Sequence, residues 1–150
     1  MPVHSERRFM PYDREQLFDM IADVEKYPRF LPWCVGAKVK RRNGDVILAE
    51  MAIGFKMIRE RFTSEATLAR PERLDIVYRD GPFKYLNCRW LFEPVEGGTM
   101  VDFFIDFEFR SKMLQVLIGS FFGEAVAMMV AAFERRAKSL YGASPARAGR

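Results

Sequence analysis

A chain of 150 residues has the length of one ordinary domain, and with 49% hydrophobic residues it can bury a sizeable core. Its net charge of +4 is spread along the chain, which argues against a DNA-binding protein with a concentrated basic face. The single histidine, His4, and two distant cysteines argue against a zinc site and against Cys–His catalysis. Buried, reduced thiols are the favoured interpretation of Cys34 and Cys88.

The N-terminal residues carry no apolar stretch of the kind that directs secretion, and a first strand is predicted over residues 3–9. We therefore expect a cytoplasmic protein, able to act peripherally at the inner membrane. Asp13 is predicted to cap a first helix with Gln16 as its reciprocal partner. Asp23 is predicted to cap a second, short helix that Pro28 disrupts. Residues 27–34 then form a rigid aromatic loop, because each proline restricts the residue before it.

Period-two alternation of apolar and polar residues follows, and it predicts about six further strands. The clearest segments are residues 47–55, 58–68, 74–79, 85–93 and 101–109. Alternation this regular favours an antiparallel sheet with one wet face and one buried face. The inward positions are mostly aromatic or long: Met51, Phe55, Phe62, Trp90, Phe92, Phe103, Phe107 and Phe109.

One long helix is predicted over residues 112–140, with a length of roughly 40 Å. Glu124 is the only charged residue between Met113 and Phe133. Such a helix is long enough to span a membrane. The favoured interpretation is that it covers the apolar face of the sheet, because a helix that is hydrophobic almost all round is usually buried. Residues 143–150 are expected to be a disordered basic tail, which leaves residues 1–142 as a single domain.

Catalytic signals are weak, so the chain is not expected to be an enzyme or to need a metal or a catalytic cofactor. His4 lies in the first strand, where a structural role is the common one. Glu60 shares a face with Ile58 and Phe62 by parity, so it is either an acid inside a cavity or the partner of an arginine at the sheet rim. A cyclase or hydratase would have to use this carboxylate. Periodicity alone does not decide between a solid core and an apolar pocket.

Five strings carry a family resemblance: YPRFLPWC (27–34), FTSEATL (62–68), DGPFKYL (80–86), VDFFIDFEF (101–109) and AFERRAKSLYG (132–142). Together they resemble the coenzyme Q-binding START-domain family of the polyketide cyclase/dehydrase-like superfamily. The resemblance covers roughly residues 3–142. It implies an α+β helix-grip fold, in which a twisted antiparallel sheet with two short helices after its first strand wraps around a long C-terminal helix. It also implies a tunnel for a hydrophobic ligand between the sheet and the helix.

The family implies that the ligand is ubiquinone or a similar isoprenoid lipid, held by a carrier or chaperone that supports respiratory electron transport. Transient contact with a membrane surface would accompany this role. A bacterial branch is named a ribosome-association toxin, so the alternative is a regulator of the large ribosomal subunit that uses exposed lysines and arginines. We expect the ligand-binding side chains to be Pro32, Trp33, Phe55, Phe62, Trp90, Phe103, Ile118, Phe121, Phe122 and Met129.

Overall fold

The computed structural model describes residues 3–142, and the predicted tail at residues 143–150 lies outside them. The strands are β1 (Val3–Met10), β2 (Cys34–Asn43), β3 (Val46–Phe55), β4 (Ile58–Ala69), β5 (Arg73–Asp80), β6 (Phe83–Val95) and β7 (Gly98–Phe109). The helices are α1 (Arg14–Ala22) and α2 (Lys112–Tyr141), and a 3-10 helix spans Val24–Arg29. The described strands form one antiparallel sheet in the order β1-β7-β6-β5-β4-β3-β2. This arrangement confirms the predicted α+β helix-grip fold.

The edge strand β2 is the one strand whose position the alternation did not show. Its pairing with β3 shifts register twice, once between Cys34 and Gly36 and again between Val39 and Arg41. Each shift moves the following side chains to the other face of the sheet, so a period-two pattern does not survive along the strand.

The N-terminal helical segment follows the predicted signals. The backbone N–H of Asp13 donates to Gln16 Oε1 at 3.2 Å, which is one half of the predicted reciprocal cap. Pro28 lies within the 3-10 helix, so the predicted aromatic loop begins inside a helical turn. The hydroxyl of Tyr27 donates to the carbonyl of Ile21, which ties this turn to the end of α1. Burial raises the pKa of Tyr27.

The β5–β6 turn presses closely against β4. Gly81 has a φ of +140°, and a Cβ added there would lie 2.7 Å from the Cβ of Phe62. A side chain at this position would push the turn away from the strand, so glycine is required by both conformation and space. The pairing of β4 with β5 also shifts register between Thr63 and Ser64, in the same part of the sheet.

The core consists of two hydrophobic clusters on the concave face of the sheet. The larger one joins α1, the 3-10 helix and the second half of α2, and it includes Phe18, Trp90 and Phe133. The smaller one joins the β3–β4 and β6–β7 strand pairs to the first half of α2 through Ile118. Among the predicted inward positions, Phe55, Phe62, Trp90, Phe92, Phe103, Phe107 and Phe109 are buried, while Met51 is half-buried.

Helix α2 is less buried than its composition led us to expect. By length and composition it could cross a membrane, yet only 28% of its most apolar 18-residue window is buried. Among the residues of α2 before Val126, Ile118 alone is buried, and Met113 is 76% exposed. The expectation of a buried helix is therefore wrong for the first half, because the sheet covers one side of this segment only.

Candidate functional site

Two apolar spaces lie between the sheet and α2. Compartment 1 has a volume of about 130 Å³ and is bounded by α1, the 3-10 helix, the sheet and the second half of α2; its lining includes Ile21, Tyr27, Ser64, Trp90, Phe103 and Met129. Compartment 2 has a volume of about 140 Å³ and is bounded by the sheet and the first half of α2; its lining includes Phe55, Ile58, Phe83, Phe107, Ile118 and Phe122.

The compartments meet at four side chains that line both of them, namely Trp33, Met51, Phe62 and Leu86. The indole N–H of Trp33 donates to the backbone carbonyl of Ala125 at 3.3 Å. This bond fastens the loop before β2 to the middle of α2, where the two compartments adjoin. The two spaces therefore adjoin beneath the helix, with these four side chains between them, and we refer to the pair of compartments as the tunnel.

Eight of the ten predicted ligand-binding residues come together around this tunnel. Trp33 and Phe62 line both compartments. Trp90, Phe103 and Met129 line compartment 1, whereas Phe55, Ile118 and Phe122 line compartment 2.

The other two predicted residues lie outside the lining. Phe121 is half-buried, with its ring centre 6.2 Å from that of Phe55 and 5.2 Å from the ammonium of Lys56. Pro32 is exposed to solvent. Adjacent residues on a helix point about 100° apart, which separates Phe121 from the lining residue Phe122.

Several lining residues escaped the sequence analysis. The space of compartment 1 exists partly because small side chains occupy inward positions of the sheet: Ala49, Ser64 and Ala66. Ser64 has the same parity in β4 as Phe62 and Ala66, and this signal could have revealed it. The covering residues Ile21 and Tyr27 come from the helical segments and Leu31 from the loop that follows them, and no periodicity in the strands points to these residues.

Neither prediction for Glu60 is correct. The residue is half-buried and pairs across the sheet with Ile53, but it lines neither compartment. Within residues 3–142 no cation forms an ion pair with its carboxylate. The nearby guanidinium of Arg59 instead donates to the backbone carbonyls of Lys56 and Ile58, at 2.8 and 2.9 Å.

The titratable groups near the tunnel are held in their neutral forms. Burial raises the pKa of Cys88, which lines compartment 1, to about 12, and that of Cys34 to about 11. Both cysteines are free thiols. His4 lies on β1, where its Nε2 is 2.9 Å from Glu6 Oε1. Across the described part of the chain, no three His, Cys, Asp or Glu side chains gather into a metal-binding group. The tunnel is thus suited to enclosing an apolar molecule.

A long C-terminal helix gripped by an antiparallel sheet, with an apolar tunnel between them, defines a START-like, lipid-binding fold. The chain belongs to the polyketide cyclase / dehydrase and lipid transport family, whose conserved region matches residues 10–134. In fold it resembles a START superfamily protein from Mycobacterium smegmatis with a TM-score of 0.80 at 17% identity, over 92% of this chain and 98% of that one.

Two curated relatives have names that describe different functions. The ribosome association toxin RatA of Rickettsia prowazekii is 37% identical over 137 residues, which cover 89% of this chain and 94% of that protein. The mitochondrial coenzyme Q-binding protein COQ10 homolog B of Xenopus laevis is 36% identical over 144 residues, which cover 93% of this chain and 59% of that protein. Both names describe binding or association, and neither is the name of an enzyme.

Proposed function

We propose that this protein binds a hydrophobic, lipid-like ligand, in the first place ubiquinone, inside the tunnel and acts as its carrier or chaperone in support of respiratory electron transport. The observation that carries the proposal is the pair of adjoining compartments with aromatic and aliphatic walls. Burial of an isoprenoid tail there contributes roughly 25 cal/mol for each Å² removed from water.

The two compartments suit the two parts of a quinone. Beside compartment 1 the rings of Trp90 and Phe103 lie 4.4 Å apart, and they offer flat faces to a planar head. Compartment 2 is lined by apolar side chains, apart from the indole of Trp33, and it suits a hydrocarbon tail. The name of the Xenopus laevis relative supports the choice of coenzyme Q.

The role we propose is non-enzymatic, with the quinone as cargo and no catalytic cofactor. Catalysis by general acids and bases needs groups whose pKa lies near the working pH. The thiols closest to the tunnel have pKa values of about 11 and 12, and Glu60 lies outside the lining.

The end of the protein around compartment 2 is suited to a membrane surface. Exposed apolar side chains lie on the β3–β4 turn at Met57 and on the first two turns of α2 at Met113 and Val116. Lys112 adds positive charge there, which favours anionic lipid, whereas the ammonium of Lys56 is paired with Glu124 at 3.3 Å. We infer transient contact of a cytoplasmic protein with the inner membrane. Met113→Glu should weaken flotation with anionic vesicles; unchanged flotation would contradict this contact.

A titration with ubiquinones of increasing tail length tests the proposal. The protein has two tryptophans, Trp33 and Trp90, and both line the tunnel, so quenching of their fluorescence reports the bound quinone. We expect affinity to rise with tail length as compartment 2 fills. Equal affinity for all tail lengths would show that the tunnel does not recognise the tail.

The neighbours Phe121 and Phe122 provide a matched pair of variants for the same titration. Phe122→Ala removes part of the compartment 2 wall and should weaken binding of the longer-tailed quinones. Phe121→Ala removes an equal side chain outside the lining and should leave binding nearly unchanged. Equal losses in the two variants would contradict a tail-binding compartment.

A second candidate function is association with the large ribosomal subunit. It is favoured by the similarity to RatA and by the exposed cations Lys38, Lys40, Arg41 and Arg42 on the edge strand β2. Binding of this kind should weaken steeply with salt. Lys40→Glu together with Arg41→Glu should reduce co-sedimentation with ribosomal subunits while quinone quenching is unchanged. Co-sedimentation that is insensitive both to salt and to these substitutions would contradict it.

A further inference from the structure

Resting on the proposed function, we propose that Ser64 anchors the polar head of the ligand in compartment 1, so that the tail runs past Trp33 into compartment 2. The hydroxyl donates a hydrogen bond to an oxygen of the head, such as a quinone carbonyl. This interaction sets the direction in which the ligand lies in the tunnel.

Ser64 is a buried polar residue without a partner. It is 7% exposed and lines compartment 1, opposite Ala49 in the register of β3 and β4. No residue in the range 3–142 hydrogen-bonds to its side chain. Every wholly enclosed side-chain nitrogen or oxygen in that range does have a partner. Because the Ser64 hydroxyl has no such partner, part of its surface must still be accessible. The accessible space beside Ser64 is compartment 1 of the tunnel.

The other polar groups of the lining are already engaged. The hydroxyl of Tyr27 donates to Ile21, and the indole N–H of Trp33 donates to Ala125. Burial has the largest effect on the pKa of the Cys88 thiol and raises it, while the indole N–H of Trp90 faces the sulfur and lowers that pKa. An unpaired hydroxyl in an apolar cavity costs free energy unless the ligand completes its hydrogen bond. Ser64 is therefore the side chain best placed to recognise a polar head.

The local backbone accounts for the position of this hydroxyl. The pairing of β4 with β3 runs without a shift through Ser64, so its side chain lies on the same face of the sheet as Phe62 and Ala66. On the β3 side its cross-strand neighbour is Ala49, whose small side chain also lines compartment 1. Compartment 2 offers no comparable free donor, which fixes the direction of the ligand.

The test compares the full-length protein with its Ser64→Ala variant, using a short-tailed ubiquinone and squalene, an isoprenoid hydrocarbon without a polar head. Ser64→Ala should weaken quinone binding by roughly three- to tenfold, the usual effect of one hydrogen bond, and leave squalene binding unchanged. Adding Ala49→Ser to Ser64→Ala returns a hydroxyl to the opposite strand and should restore part of the quinone affinity.

The outcomes separate the anchor from the proposed function. Unchanged quinone affinity in Ser64→Ala, with binding intact, overturns the anchor and leaves the carrier function standing. Equal losses for quinone and squalene also overturn the anchor, because they show an effect on packing. If the unsubstituted protein binds neither quinone nor squalene, both proposals fall together.

The direction of the ligand has its own measurement. Trp33→Phe leaves Trp90, which lines compartment 1 alone, as the only indole. At saturating quinone its fluorescence should be strongly quenched, because the quinone ring lies beside it. Weak quenching of Trp90 together with strong quenching of Trp33 in the Trp90→Phe variant would place the head in compartment 2 and overturn the proposed direction.

Discussion

The second half of α2 is held on several sides, although its residues are no more apolar than those of the first half. The ring of Phe133 lies 5.3 to 5.6 Å from those of Phe30, Tyr27 and Trp90. Ala132 and Ala137 are 1% and 0% exposed, so the helix backbone approaches its neighbours closely. The hydroxyl of Tyr141 also donates to the carbonyl of Gln16 at 2.8 Å.

The first half of α2 touches the protein with one face only. It is fixed at its start by Ser111, whose hydroxyl accepts a hydrogen bond from the N–H of Leu114, and by Gln115, whose Oε1 accepts one from the N–H of Phe109. Val116 on the opposite face is 72% exposed. One continuous helix thus serves as core in one half and as a thin outer wall of compartment 2 in the other, which teaches that composition alone does not determine burial.

The largest difference between the halves should appear on truncation of an aromatic side chain. Phe133→Ala should lower the free energy of unfolding by about 3–5 kcal/mol, since it removes a buried ring from a packed cluster. Phe122→Ala should cost clearly less, because Phe122 is half-buried beside open space. Chemical denaturation measures both. Equal losses would remove the distinction between core and wall.

Overpacking should show how closely the second half of α2 is packed against the rest of the protein. Ala137→Leu adds a large side chain where there is no room and should cost about 1–3 kcal/mol. Ala127→Leu, at an exposed position of the same helix, should change the free energy of unfolding by about 0.5 kcal/mol or less. A neutral Ala137→Leu variant would mean that the second half can move away from the sheet.

Alkaline pH tests the surroundings of compartment 1 through its thiols. In the folded protein the pKa values of Cys34 and Cys88 lie above the ordinary value of 9.0, so ionisation favours the unfolded chain. Their contribution to stability is complete below pH 9 and is lost as the pH rises towards 11 and 12. At pH 10 we expect a loss of about 1 kcal/mol per thiol.

The control for the pH series is the double variant Cys34→Ala, Cys88→Ala. Its free energy of unfolding should change less between pH 8 and pH 10 than that of the unsubstituted protein, whatever its absolute stability. Parallel pH curves for the two proteins would show that the thiols are accessible to solvent.

The smallest expected effect comes from the glycines of the first half. A Cβ added at Gly119 or Gly123 meets nothing within 4 Å, so alanine should stabilise the protein by about 0.5–1 kcal/mol at either position. If the first half bends to admit ligand, the stiffened variants should melt higher and load quinone more slowly. Higher melting temperatures with an unchanged loading time course would show a rigid wall.

The strands were predictable because successive side chains alternate between the wet and the buried face of a sheet. The long helix was predictable from its apolar stretch, in which Glu124 is the only charged residue between Met113 and Phe133. Strand parity accounts for four of the eight candidate residues at the tunnel, namely Phe55, Phe62, Trp90 and Phe103, whereas the other four lie in the loop before β2 and on α2. It did not identify Ser64, since a small polar residue within an apolar set looks neutral until the space in front of it is known. The choice between Phe121 and Phe122 depends on the rotation of α2 about its axis, and the cover formed by Ile21 and Tyr27 depends on tertiary packing. Neither is encoded in local periodicity.

The size of the tunnel has a kinetic consequence. Each compartment holds roughly ten water-sized volumes, whereas a long-tailed quinone has several times as many heavy atoms. Unless the tunnel widens, the end of such a tail protrudes from the protein while the head is enclosed. Delivery would then begin with the free end of the tail, which enters the acceptor bilayer before the head leaves the tunnel. Little of the isoprenoid chain would cross open water. Exchange would accelerate with the density of acceptor membrane and would respond only weakly to added tail length.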